Sequence, residues 1–435
     1  MQKSIQTSLH YSDLLGDTEL AHLLDSGNEQ QALIAVEVAL AKAQESVGLV
    51  PTGTGDAMEN ALADISLDAT QMAAGISGSG VPVPALLAQL RKQLPAQTAQ
   101  WLHWGATSQD IVDTASVLQI GQCIELLQAR LSALLDALQQ QAQQHTNTVM
   151  AGRTRTQLAT PITLALRIAQ WAQPLIELEQ ELSALRKKVL RIQFGGAVGA
   201  NTAVAPHGPE ITQHMAQQLG LEDTAPWHTD RSATTALAHW LLQLSNALAK
   251  FGKDLMILSR SEIAELRAGT AGGSSTMPQK ANPVQSEMLV SMNTVAQALH
   301  SGLLAAASPV EERDGASWTV EWILLPQLLL TVGCALKHGL SLAQTLSADT
   351  TRMAQTVKDN PQLMAEAASF ALAAHMPRSE AQALVKKAAL SSKPLDQALA
   401  ELSDAKIDWK TALDPCAVIE PCKHISEAIF YRRAR

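Results

Sequence analysis

The chain has 435 residues, 46% hydrophobic, 17% charged and 3% aromatic, and carries a net charge of −9. So few aromatics, beside abundant Ala, Leu and Gln, disfavour a sheet-rich protein and predict an all-α fold with a sizeable core. The acidic balance, without any Lys/Arg block, argues against a nucleic-acid partner and leaves room for an anionic ligand only in a local cationic pocket.

In chain order, residues 1–110 have short apolar runs and several Gly and Pro, as in "GISGSGVPVP", and are expected to form a mainly helical N-terminal domain. The start, "MQKSIQTSLHYSD", has no apolar run after its lysine, so no signal peptide is expected. Residues 111–358 are expected to form a central bundle of long helices. Three Leu-rich seams step by three and four: Val117 to Leu138, Leu175 to Ile192, and Leu237 to Leu258. Further helices are predicted at Val284 to Ala306 and Trp318 to Leu346. Residues 359–435 return to short helical patterns and suggest a small C-terminal helical domain.

The apolar segment Ile323 to Leu336, interrupted by Pro326 and Gln327, falls short of the ~20 residues of a membrane span, so no membrane partner is expected. Cys123, Cys334, Cys416 and Cys422 lack metal-site spacing and read as free thiols of a cytoplasmic protein.

Polar loops precede the long helices. "HWGATSQDIVDT", His103 to Thr114, places Thr107 three residues before Asp110, a capping-box pattern. In "GRTRTQLATP", Gly152 to Pro161, Thr160 suits a helix cap and Pro161 the first helical position. In "GGSSTMPQKANP", Gly272 to Pro283, Asn282 is the expected cap, followed by Pro283 and Gln285. Helix starts present unpaired N–H groups that favour an anion. Capping alone accounts for each Thr or Asn singly. It does not account for Arg153, Arg155, Lys280 and His103 beside three such starts. A fourth segment, "SPVEERDGASWTVEW", offers Arg313 as a bidentate carboxylate partner.

Gly273 to Asn282 resembles the signature loop of the fumarase/aspartase superfamily: Gly-Ser, two residues, Met, two residues, Lys, one residue, Asn. The other two loops resemble that superfamily's further site regions, in the same order. The resemblance implies a long central helical bundle with smaller helical end domains. It also implies a homotetramer whose sites are shared between subunits. The reaction it implies is elimination or addition next to a carboxylate through an enolate-like aci-carboxylate. By the match, Ser274 takes the catalytic serine position, and Lys280 and Asn282 hold carboxylate. Gly272 and Gly273 would let the loop close over substrate. Thr107, Ser108 and Gln157, in the other two regions, are expected to bind substrate.

The form of the first loop is similar to the adenylosuccinate lyase branch, with departures. Arg155 stands where that branch keeps a catalytic His after "GRT". Glu311 and Trp322 replace a His and an Arg of its "HERD…S…ER" segment. These departures resemble the lactonizing cycloisomerases of the branch. Those enzymes close a tricarboxylate by intramolecular carboxylate addition to a double bond, in aromatic-compound catabolism, with no metal or organic cofactor. Arg153, Arg155, Lys280 and Arg313 are then candidates to hold three carboxylates. A guanidinium that does not deprotonate suits binding better than proton transfer. Lys280, Ser274 and His103 remain alternatives for the proton donor. The rival readings are an adenylosuccinate- or argininosuccinate-type lyase releasing fumarate, and a purely structural bundle.

Overall fold

Leucines at steps of three and four fall on one side of a helix, and the seams become the longest elements of the protein. The computed structural model describes residues 10–269, 272–273, 276–277 and 280–434. The elements used below are α1 (Ser26–Ser46), α2 (Ser108–Gln144), β1 (Val149–Thr154), β2 (Gln157–Thr163), α3 (Leu164–Val189), α4 (Ser232–Leu258), α5 (Val284–Ala306) and α6 (Gly315–Gln344). Helix α2 alone has 37 residues and is about 55 Å long at ~1.5 Å per residue. Its seam residues Ile124, Leu127, Leu131, Leu134 and Leu138 are fully buried, as are Leu237, Leu241, Leu244, Leu248 and Phe251 of α4. The second seam outruns its helix, because α3 ends at Val189 and Ile192 lies beyond it. The fold is all-α, a bundle of long helices. Among the described residues the only sheets are two of two strands each, one a hairpin and the other a short pairing of Leu266–Arg267 with Ser347–Ala348.

The apolar segment Ile323 to Leu336 is part of α6, a helix of 30 residues that runs through Pro326. The whole of α6, unlike the segment alone, is long and apolar enough by length and composition to cross a membrane, but 56% of its most apolar window is buried inside the fold, as in the core helix of a globular protein. Its buried residues Leu328, Leu329, Val332, Ala335 and Leu336 belong to the core.

Contacts divide the chain into two units, and each of the five longest helices lends a segment to both. The first unit holds the residues up to Arg130 with Glu181–Asn246 and Ser291–Lys337. Its core gathers Leu33, Val36 and Leu40 of α1 with Ile111 and Val112 of α2, and with Phe194, Ile211, Met215 and Trp318. The second unit holds Leu131–Gln180, Ala247–Val290 and the residues from His338 onward. There Trp171 of α3 meets Phe251 of α4 with ring centroids 4.9 Å apart. A separate cluster around Ala368, Leu372, Ala381, Leu395, Leu399 and Trp409 forms the core of the C-terminal helices.

The "GRTRTQLATP" segment is a β-hairpin and not a helix start. β1 pairs with β2 from Val149↔Thr163 to Thr154↔Gln157, and the register shifts between Ala151 and Gly152. The shift leaves Thr160 as the extra residue of a bulge, opposite no partner. Pro161, which has no N–H to give a ladder, is tolerated beside such a bulge. A Cβ on Gly152 would lie 2.4 Å from the Thr160 carbonyl oxygen, so the bulge requires glycine there. The cap of α3 is Thr163, whose hydroxyl accepts from the Leu166 N–H at 3.2 Å, while the Thr160 hydroxyl donates to Glu366 at 3.0 Å.

Candidate active site

In the first unit the start of α2 is organised by one carboxylate. Asp110 is fully buried. Its Oδ2 accepts from the N–H groups of Thr107 at 3.0 Å and Gly196 at 2.9 Å. Its Oδ1 accepts from the Gly195 N–H at 2.9 Å, Gln193 Nε2 at 3.2 Å and His228 Nε2 at 3.0 Å. One half of the expected capping box is therefore present: the side chain three residues in reaches back to the cap N–H. The other half is not, because the Thr107 hydroxyl accepts from Arg313 at 2.7 Å. Arg313 also donates to Gln109 at 3.2 Å and to the Ala197 carbonyl at 3.0 Å. Thr107 and Arg313 are thus brought together, with Arg313 clamping the helix start. Ser108 is the first residue of α2 and half-buried.

His103 stands just before this start with φ of 63°, in the left-handed region, and Gly105 follows at 74°. Its Nδ1 lies 2.7 Å from Oε1 of Glu37, a carboxylate buried on α1.

A second charged group ties α2 to α6. Arg231 donates to Asp113 at 2.8 Å and to both oxygens of Glu321, the Nε bond being 2.8 Å long. Trp318 Nε1 donates to the other Asp113 oxygen at 2.8 Å, and the Trp227 ring lies 4.9 Å from the guanidinium carbon. Burial works against the Arg231 charge, but the Asp113 and Glu321 carboxylates more than offset it and hold its pKa above the ordinary range. Asp113, Arg231, Glu321 and Trp322 line a cavity of about 90 Å³. Trp322, the residue in place of a branch arginine, packs edge-on to Trp318 at 4.5 Å, and Glu311 is exposed with φ of 56°.

In the second unit the hairpin presents its tip. Arg155 and Thr156 both have positive φ, 49° and 68°, as a two-residue type I′ turn requires. Neither is the Asn or Gly that adopts this conformation readily, and a β-branched residue there is strained, at about 1–3 kcal/mol. Arg155 is exposed, and its guanidinium has no partner among the described residues. Gln157, on the other side of the turn, is also exposed. Arg153 is different: it donates to Glu265 at 2.7 Å and to the Ala151 carbonyl at 3.2 Å. Glu265 is fully buried. Arg153 therefore anchors the hairpin and leaves Arg155 as its free cation among the described residues.

The signature loop is closed at its base by paired bonds between Gly272 and Asn282, 3.1 and 3.0 Å long. Asn282 Nδ2 donates across the loop to the Gly273 carbonyl at 3.5 Å. The first intrahelical bond of α5 runs from the Glu287 N–H to the Pro283 carbonyl, so Pro283 and not Asn282 stands at the cap. The need for glycine at 272 is one of packing: a Cβ would lie 2.5 Å from Val284. Lys280 is exposed, and its N–H donates to Met277 at 3.0 Å. Ser274 lies outside the described residues.

Two buried cysteines are poor nucleophiles: burial pushes Cys123 up to about 12 and Cys334 up to about 11. Among the described residues no group of three or more His, Cys, Asp or Glu is arranged to hold a metal ion.

Glu37, Asp113, Arg231, His228 and Glu265 were not singled out in the sequence, and Asp110 was read only as half of a cap. One signal was available: Glu37 and Gln44 fall on the buried stripe of α1 with Leu33, Val36, Leu40 and Ala41. A charged residue on such a stripe requires a partner.

The lyase family model matches residues 18–298. The 3-carboxy-cis,cis-muconate cycloisomerase of Bradyrhizobium diazoefficiens is 34% identical over 400 residues, 89% of this chain and 88% of that protein. The enzyme of the same name from Pseudomonas aeruginosa is 36% identical over 365 residues, 82% of this chain and 80% of that protein. The crystal structure of 3-carboxy-cis,cis-muconate lactonizing enzyme from Pseudomonas putida superposes with a TM-score of 0.89 at 29% identity, covering 99% of both chains. The chain belongs to the lyase family of the fumarase/aspartase superfamily and, within it, groups with the 3-carboxy-cis,cis-muconate cycloisomerases.

Proposed function

We propose that the protein catalyses the cycloisomerisation of 3-carboxy-cis,cis-muconate to a carboxymuconolactone in protocatechuate breakdown, acting in the cytoplasm as a homotetramer with sites shared between subunits. The observation that carries this reading is the 36% identity to the Pseudomonas aeruginosa cycloisomerase over 82% of the chain. In the reaction one substrate carboxylate adds through oxygen to a carbon of the double bond. The electron pair of that bond moves to the neighbouring carbon and into its carboxylate, giving the aci-carboxylate. That carbon then takes a proton. The protein must hold three negative groups, stabilise the developing charge and supply the proton.

Arg155 and Lys280, both exposed cations beside the matched loops, suit carboxylate capture. Ser108, the first residue of α2, suits anion binding through its hydroxyl and helix N–H, and Thr107, whose N–H is taken by Asp110, through its hydroxyl hydrogen. Asn282 and Gln157 add amide donors. Lys280, Ser274 and His103 are the proton-donor candidates.

Arg155→Ala is expected to raise KM for the tricarboxylate by about tenfold to a hundredfold with a smaller change in kcat, since a charge-assisted contact is worth about 1.5–3 kcal/mol. An unchanged KM would remove Arg155 from the site. Product analysis separates this reading from the rival lyase. A cycloisomerase returns one product of unchanged mass, whereas fumarate released from a succinyl nucleotide or argininosuccinate would support the lyase.

A further inference from the structure

The turn that carries His103 is held from inside the fold by one face of α1. Glu37 and Gln44 lie two helical turns apart on that face, and their exposures are 1% and 0%. Glu37 Oε1 meets His103 Nδ1 at 2.7 Å, and Gln44 Nε2 donates to the Trp104 carbonyl at 2.5 Å. The turn between them is unusual: His103 has φ of 63°, and a Cβ on Gly105 would lie 2.5 Å from Val204. A left-handed histidine is uncommon and persists where its surroundings fix it.

Burying a carboxylate is costly unless it is well paired. Yet the second oxygen of Glu37, Oε2, is buried with no hydrogen-bond partner among the described residues. An isolated packing position would be filled better by Leu or Met. The only partner of Glu37 among the described ion pairs is His103.

An ionised carboxylate only accepts, so Nδ1 of His103 carries the proton in this contact. The other ring nitrogen, Nε2, has no hydrogen bond among the described residues, and the ring keeps 15% exposure. Glu37 therefore fixes both the orientation of the ring and the nitrogen left open to solvent.

We propose that Glu37 is a positioning residue for the reaction, fixing His103 so that Nε2 is presented to the substrate. This inference rests on the cycloisomerase reading, in which His103 is a site residue. The general logic is that of a carboxylate that orients a working imidazole.

A double-mutant cycle with Glu37→Leu and His103→Ala tests it. Each single variant is expected to lose about tenfold to a hundredfold in kcat/KM, by analogy with other residues that orient a working ligand. The double variant should be no worse than His103→Ala, because Glu37 acts only through the ring. Should Glu37→Leu fail to fold, Glu37→Met, which also removes the acceptor, gives the same cycle. Nitrogen-15 NMR of the His103 ring, assigned by its loss in His103→Ala, should show an Nδ1–H form in the wild type that is lost when Glu37 is replaced. This signal needs no substrate, so it judges Glu37 separately from the functional reading, which absence of wild-type turnover would sink. Additive losses in the cycle, or a ring signal indifferent to Glu37, would overturn the inference while leaving the cycloisomerase reading in place.

Discussion

Asp110→Ala will destabilise the protein by about 3–5 kcal/mol, read from chemical denaturation, and will remove most activity at temperatures where it still folds. The carboxylate is fully buried and takes hydrogen bonds from Thr107, Gln193, Gly195, Gly196 and His228. Each buried donor left without an acceptor costs about 1–3 kcal/mol, and partial relaxation keeps the sum below a simple total. Since whole proteins are stable by only about 5–15 kcal/mol, the loss is a large share. Activity falls for a separate reason. The bond to the Thr107 N–H fixes the start of α2, where Thr107 and Ser108 sit. Asp110→Asn is the sharper variant, because it keeps the volume and sets an NH2 group against donors. An Asn variant as stable and active as the wild type would mean that this carboxylate does not organise the site.

Arg231→Met will be nearly as damaging, and its effect will depend on pH in a defined sense. The substitution leaves Asp113 and Glu321 as two buried carboxylates without their shared cation, which costs about 3–5 kcal/mol at neutral pH. Burial already raises the Glu321 pKa above 4.5, and Arg231 holds it back. Without Arg231 the rise is larger. A carboxyl whose folded pKa lies above its unfolded value binds more protons when folded, so stability falls as pH rises between the two. The stability gap between variant and wild type should therefore narrow from pH 7.5 to about pH 5.5, as the stranded carboxylates take up protons. Replacing all three groups by neutral residues, Arg231→Met with Asp113→Asn and Glu321→Gln, should recover much of the loss. A gap that stays constant or widens toward acid would show that the three charges are not coupled.

The parts of the molecule legible in the sequence are those set by repetition. The seam from Val117 to Leu138 gave α2 because seven apolar positions agree with one another, and no local exception outweighs them. α5 runs from Val284 to Ala306, as its pattern predicted. The hairpin was illegible for the opposite reason. Its turn uses Arg155 and Thr156 where Asn and Gly are usual, so the strongest short-range signal was missing. Thr160 and Pro161 fit a helix start as well as they fit a bulge. Only the pairing of β1 with β2, and the closeness of Gly152 to Thr160, decide between them. Asn282 has the sequence signature of a cap for the same reason, but its bonds go across the loop to Gly272 and Gly273 and not forward along the helix.

The matched loops told the chemistry of the site, and the structure sorted their cations by what already holds them. Arg153 is engaged by Glu265, and Arg313 by Thr107, Gln109 and Ala197, while Arg155 makes no such contact among the described residues. Such distinctions depend on residues distant in sequence, such as Glu265 and Ala197. No spacing within a loop encodes them.

The most direct measurement is the ultraviolet absorbance of 3-carboxy-cis,cis-muconate after the protein is added. The conjugated diene should disappear catalytically, leaving a single lactone of the same mass and no fumarate. A spectrum that stays unchanged at high protein concentration would contradict the cycloisomerase assignment.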